Sequence, residues 1–196
     1  MSFPPASTPR TVFGMNPFAI GGVLAGGKLT KSLLQGVVGG YTDRAGGKHR
    51  FVIAGTLTYA LGAAMIPLAG YAQGVIPPLS LSLLGTSLSL VPAFVPLFAA
   101  YAVIGVADSL RLPASMALFV EEGKHFDAVA GSLSLRSLAW KAGQVLGPVS
   151  VGVIWDLTSV TLAFLTAAGF IVVAAGVFAS LYHVEPAPDI ATVPGD

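Results

Sequence analysis

The chain has 196 residues, 54% of them apolar and only 10% charged, with a mean hydropathy of +0.80. A soluble domain carries about a quarter charged residues, so this composition points to a membrane protein whose first partner is the lipid bilayer. The net charge of +1 excludes the basic footprint of a nucleic-acid binder, and the lack of cysteine excludes disulfides, thiolate metal sites and cysteine catalysis.

The N-terminus, residues 1–17, opens with "MSFPPASTPR" and reads as a polar leader; no small-residue cleavage pattern follows a short apolar core. The first apolar stretch, 18–42, is long enough to cross a bilayer, which takes about 20 apolar residues, although it carries Lys28 and Lys31. A polar knot follows, "GGYTDRAGGKHR" at 39–50, which places Asp43, Arg44, Lys48 and Arg50 among glycines. Between Arg50 and Asp108 there is no Asp, Glu, Lys or Arg. That distance is too long for one crossing and fits two helices, near 51–73 and 92–120, joined by the Pro-, Gly- and Ser-rich turn at 74–92. Two further spans, 128–155 and 158–182, are separated by little more than Asp156 and Leu157. The tail at 184–196 is rich in proline and acid, has no apolar periodicity and is expected to be disordered. The expected fold is therefore all-α, a polytopic membrane bundle of about five transmembrane helices over 18–183.

Orientation follows from the bases in the short loops, which favour the cytoplasm. Arg44, Lys48 and Arg50 in the first connection and Lys124 in "EEGKHFD" lie on one side by alternation, and Arg136 and Lys141 add to it. The connections at 74–92 and at Asp156 have no base. The N-terminus is then outside, the C-terminus cytoplasmic, and the plasma membrane is the expected location.

Within the spans, Lys28, Lys31, Gln35 and Gly39 fall on one helical stripe. A lysine near the middle of a membrane helix costs about 2.5 to 3.5 kcal/mol on insertion scales, so this stripe should face protein or water. For Lys28 it reads equally as a substrate or ion pathway and as a lysine that snorkels or meets another part of the protein, and for Lys31 the second reading is preferred. Asp108 and Arg111, at i and i+3, lie about 20 Å from the acidic end of their helix at about 1.5 Å per residue. Gly143 and Gly147 have the spacing that lets membrane helices approach closely, and Pro148 permits a bend. Trp140 reads as an interfacial anchor. The scattered serines and the absence of a histidine deep in a span argue against an intramembrane enzyme. His49, His125 and His183 lack metal-site spacing, and no cofactor is implied.

The knot resembles the cytoplasmic signature of the major facilitator superfamily: Gly, three residues, Asp-Arg, any residue, Gly, then two basic residues. Gly39, Asp43, Arg44, Gly46 and Lys48 match, and Gly47 stands where the family usually has arginine. "IGVADSLRLPASMALFVEE" (104–122) is similar to the helix before the middle loop of a facilitator half. "GQVLGPVSVG" (143–152) resembles the Gly-x-x-x-Gly-Pro motif of the helix after it; of the two later glycines of the antiporter version only Gly152 is present, with Val151 at the other position. The order of these signatures corresponds to helices two to six of a six-helix half, and to helices eight to twelve of a prokaryotic efflux-type transporter.

The resemblance implies secondary transport of a small solute by alternating access, with proton-coupled efflux as one form. The substrate is unknown, and the natural partner is the N-terminal half of the transporter. The alternative is a membrane subunit, or truncated product, that does not transport. By resemblance, Asp43 and Arg44 help latch the two halves in one conformation. Asp108 and Arg111 then face the central cavity, where Asp108 is either a proton carrier or half of a self-neutralising structural pair.

Overall fold

The computed structural model describes residues 15, 17–45, 47–72, 74–83 and 86–182. The tail at 184–196, Gly46, the side chain of Asp43 and all of the expected leader except Met15 and Pro17 lie outside the described residues. The elements run α1 (Pro17–Ala45), α2 (Lys48–Met65), α3 (Leu68–Ala72), β1 (Leu79–Leu83), β2 (Thr86–Leu90), α4 (Phe94–His125), α5 (Val129–Leu157) and α6 (Val160–Tyr182). The architecture is an all-α bundle, with α2 and α3 forming one bent rod. The bend has a local cause. Pro67 has no N–H to return to Ala63, so the Ala63 carbonyl accepts from Ile66 at 3.3 Å and the chain tightens for a turn before α3 resumes.

Three segments are long and apolar enough to cross a membrane by length and composition: Lys48–Ala72, Phe94–His125 and Val160–Tyr182. Helices α1 and α5, each 29 residues, are not among the three; α1 carries Lys28, Lys31 and Arg44, and α5 carries Arg136, Lys141 and Asp156.

Helix α4 is the axle. Helices α1 and α2 pack along it most extensively, α5 rests on it over a shorter stretch, and α6 packs mainly on α2. Two apolar clusters hold this arrangement. One joins Ala19 and Val23 of α1, Ile66 and Ala69 of the bent rod, and Leu97 and Ala100 of α4. The other sets Ala60 and Ala63 of α2 against Ala168 of α6. The buried side chains are mainly small, as expected where lipid supplies no hydrophobic drive and helices associate through close packing.

The segment at 74–92, expected as a turn, contains a two-stranded antiparallel hairpin instead. Its register pairs Leu79 with Leu90, Ser80 with Ser89, Leu81 with Leu88 and Ser82 with Ser87. Strict Leu–Ser alternation has the period of a strand, and that signal outweighs the turn signal of the flanking prolines and glycine.

Candidate functional site

Small residues bring the helices close enough to build the site. Gly105 of α4 lies against Gly27 of α1: a Cβ on Gly105 would stand 2.4 Å from the Gly27 carbonyl oxygen and 3.1 Å from the Lys31 nitrogen. Gly55 of α2 does the same on the other flank, where a Cβ would meet the Ala107 oxygen and the Arg111 nitrogen at 2.8 Å. With both neighbours drawn in to backbone contact, one level of α4 gathers polar groups from three helices.

At that level Arg111 donates from Nε to Asp108 Oδ1 at 3.0 Å, and its Nη2 stands 2.9 Å from the same oxygen in an ion pair. Lys31 of α1 approaches the other carboxylate oxygen, with Nζ 4.0 Å from Oδ2. One carboxylate is therefore shared by two cations on two helices. The guanidinium of Arg111 also lies over the Tyr59 ring of α2, 4.3 Å from its centroid, and 5.5 Å from the ring of Trp140 on α5. The planar, weakly hydrated guanidinium suits both partners, and the ring faces help hold its charge away from water. Asp108 is one-fifth exposed, so the cluster is largely shielded without being sealed.

Helix α5 meets α4 in a regular antiparallel register, one contact per turn. Ser132 donates from Oγ to the Phe119 carbonyl at 2.8 Å, Arg136 donates from Nη2 to Ser115 Oγ at 3.3 Å, and Trp140 faces Arg111. Alongside this seam an open cleft of roughly 320 Å³ lies between α1, α4 and α5; Gln35, Met116, Arg136 and Trp140 are among its walls. Trp140 thus lines a cleft and stacks near a cation, where the sequence suggested an interfacial anchor. Tyr59, Arg136 and Trp140 were not expected as site residues. A polar aromatic and an arginine inside apolar helices were the available signals, but only helix packing shows that they point at one another.

At the end of the bundle where α1 stops and α2 begins, the knot residues separate. Gly47 takes the left-handed conformation, with φ of 60°, where the chain reverses into α2. Lys48 bonds and ion-pairs with Glu121 at the end of α4. His49 stacks on Tyr182 of α6, with centroids 5.8 Å apart. Arg44 is exposed, and Gly39 has no side-chain neighbour within 4 Å. Lys28 is exposed with no ion pair among the described residues. A Cβ on Gly143 or Gly147 would likewise meet nothing within 4 Å, Pro148 is exposed, and α5 has no buried residue.

A family model described as Major Facilitator Superfamily matches residues 1–195. No curated protein and no solved structure matches the chain.

Proposed function

Because the chain belongs to the major facilitator superfamily, a family of secondary transporters, we propose that it forms a C-terminal portion of a transporter that moves a small solute by alternating access. Two bundles rocking about a midplane site would carry the solute. The observation that carries this reading is the shared carboxylate: Asp108 holds Lys31 on α1 and Arg111 on α4 at one level of the bundle. Proton uptake by Asp108 removes its charge and with it the attraction for both cations. The relation between α1 and α4 then responds to a proton, as proton-coupled efflux requires. A carboxylate that ties two helices together through its charge can bias a two-state arrangement between them.

In this reading the basic end faces the cytoplasm of a plasma-membrane protein, with the N-terminus outside. Glu121 engages Lys48 of the knot, and Asp43 and Arg44 are proposed to engage the N-terminal half as a latch. The bare face of α5 around Gly143, Gly147 and Pro148 is where that half packs, which explains why a close-packing motif has no neighbour within the described chain.

Reconstituted vesicles test the proposal. With the N-terminal half present, a pH gradient should drive solute flux, and Asp108→Asn should abolish the response to the gradient. Flux whose proton coupling survives Asp108→Asn would remove Asp108 from the mechanism. Vesicles holding this polypeptide alone should show no flux; flux there would show that the chain transports without a partner half.

A further inference from the structure

Arg136 is the one charged residue among those that line the cleft. Away from the helix ends, Lys28, Lys31, Arg111, Arg136 and Lys141 are set against one carboxylate, Asp108. Asp108 is already shared by Lys31 and Arg111, which leaves that cluster with a surplus positive charge. Arg136 has a hydroxyl, Ser115 Oγ at 3.3 Å, as its partner and no carboxylate among the described residues. Ser115 stands one helical turn, about 5.4 Å, beyond Arg111 on α4. Two guanidinium groups thus occupy successive levels of one seam, and Arg136 opens into the cleft beside Trp140, Leu112 and Met116. A low-dielectric concavity with one sign of charge focuses potential and concentrates counter-ions. A guanidinium with a single weak partner retains donors suited to the paired oxygens of a carboxylate or phosphate.

From this geometry we infer that the cleft between α1, α4 and α5 binds a small organic anion. The carboxylate or phosphate sits on Arg136, and the apolar or aromatic body lies against Trp140, Leu112 and Met116. The inference names the substrate class for the transport reading and rests on that reading only for the step of translocation.

The test uses the full chain carrying Trp155→Phe, which leaves Trp140 as the only tryptophan, in phosphatidylcholine nanodiscs at fixed ionic strength. Benzoate should quench Trp140 emission saturably. Benzylamine, of similar shape and opposite charge, and neutral benzyl alcohol should bind at least about tenfold more weakly. Arg136→Gln should weaken benzoate by about tenfold or more, Arg136→Lys should keep part of the affinity, and Lys124→Gln, outside the cleft, should keep all of it. Unchanged Trp140 emission without ligand, together with the partial retention in Arg136→Lys, separates loss of the site from misfolding. Benzylamine binding as tightly as benzoate, or benzoate affinity indifferent to Arg136→Gln, would overturn the inference. Competitive loss of benzoate binding when phosphatidylglycerol replaces part of the lipid would overturn it too, by assigning the cleft to a lipid headgroup. Intact benzoate binding without benzoate flux in vesicles containing both halves would count against transport and leave the anion site standing.

Discussion

Helix α4 has two flanks, and they use the same kind of residue to opposite ends. Toward α1 and α2, Gly105 and Gly55 let backbones touch and bring Lys31 and Tyr59 up to Asp108 and Arg111. On α5, Gly143 and Gly147 have the sequence spacing of a close-packing pair and touch nothing. The α5 flank is held instead by a thin polar seam, Ser132 to Phe119 and Arg136 to Ser115, beside which the cleft opens. The lesson is that a small-residue motif marks where a helix can be approached closely and is silent about which helix does so. The glycine-packed flank fixes the charges in place, and the α5 flank leaves a cleft open beside them.

Substitutions that fill the glycines break this comparison most directly. Gly105→Leu should lower stability by about 3 kcal/mol, because its side chain must displace backbone rather than a flexible side-chain end. Gly147→Leu in the same chain should change it by less than about 0.5 kcal/mol. Reversible unfolding in mixed detergent micelles measures both, and equal losses would mean that α5 is as tightly packed as α1.

Next in size, Asp108→Asn should cost about 2 kcal/mol. It leaves two cations without their carboxylate, a loss moderated by the residual exposure of the group. Replacing Lys31 with methionine in the Asp108→Asn background should recover part of the loss, because one of the stranded charges is then gone. A double variant no more stable than Asp108→Asn would show that Lys31 does not feel the carboxylate across the 4.0 Å gap.

Tyr59→Leu keeps the apolar bulk and removes the electron-rich face under Arg111. A loss of about 1 kcal/mol is expected, and it should shrink when Arg111 is also replaced by methionine. An unchanged loss in that second background would trace it to packing rather than to the cation.

The smallest effect belongs to the exposed end of the bundle. Lys48→Gln should cost no more than about 0.5 kcal/mol and should lose that effect as salt rises, since its partner Glu121 is half exposed. A larger, salt-insensitive cost would make this pair part of the fold rather than a contact at its edge.

Much of the architecture was legible because hydrocarbon imposes a simple demand. The long run without charge from Phe51 to Ala107 requires two crossings with a turn between them, and the bundle provides the bent rod of α2 and α3 and the first half of α4. The Leu–Ser period of the hairpin was legible too, although the turn residues around it led to the expectation of a turn. The site was only half legible. Asp108 and Arg111 declare themselves by their spacing on one helix. Lys31 declares itself by its cost in the membrane, but its convergence on Asp108 depends on how far α1 slides along α4. The Gly27–Gly105 contact sets that slide, and no one-dimensional pattern reports it.

The sequence by itself determined the solvent, the helical class, the family likeness and the intrahelical pair of Asp108 with Arg111. The solvent, the class and the pair follow from composition, period or short-range spacing along one chain, and the likeness from motif residues that resemble those of the family. The tertiary structure decided which cations share Asp108, that Tyr59 and Trp140 hold the Arg111 guanidinium, that Arg136 opens into a cleft, and that the glycines of α5 remain bare. These depend on the distance between helices, and that distance is set where backbones meet.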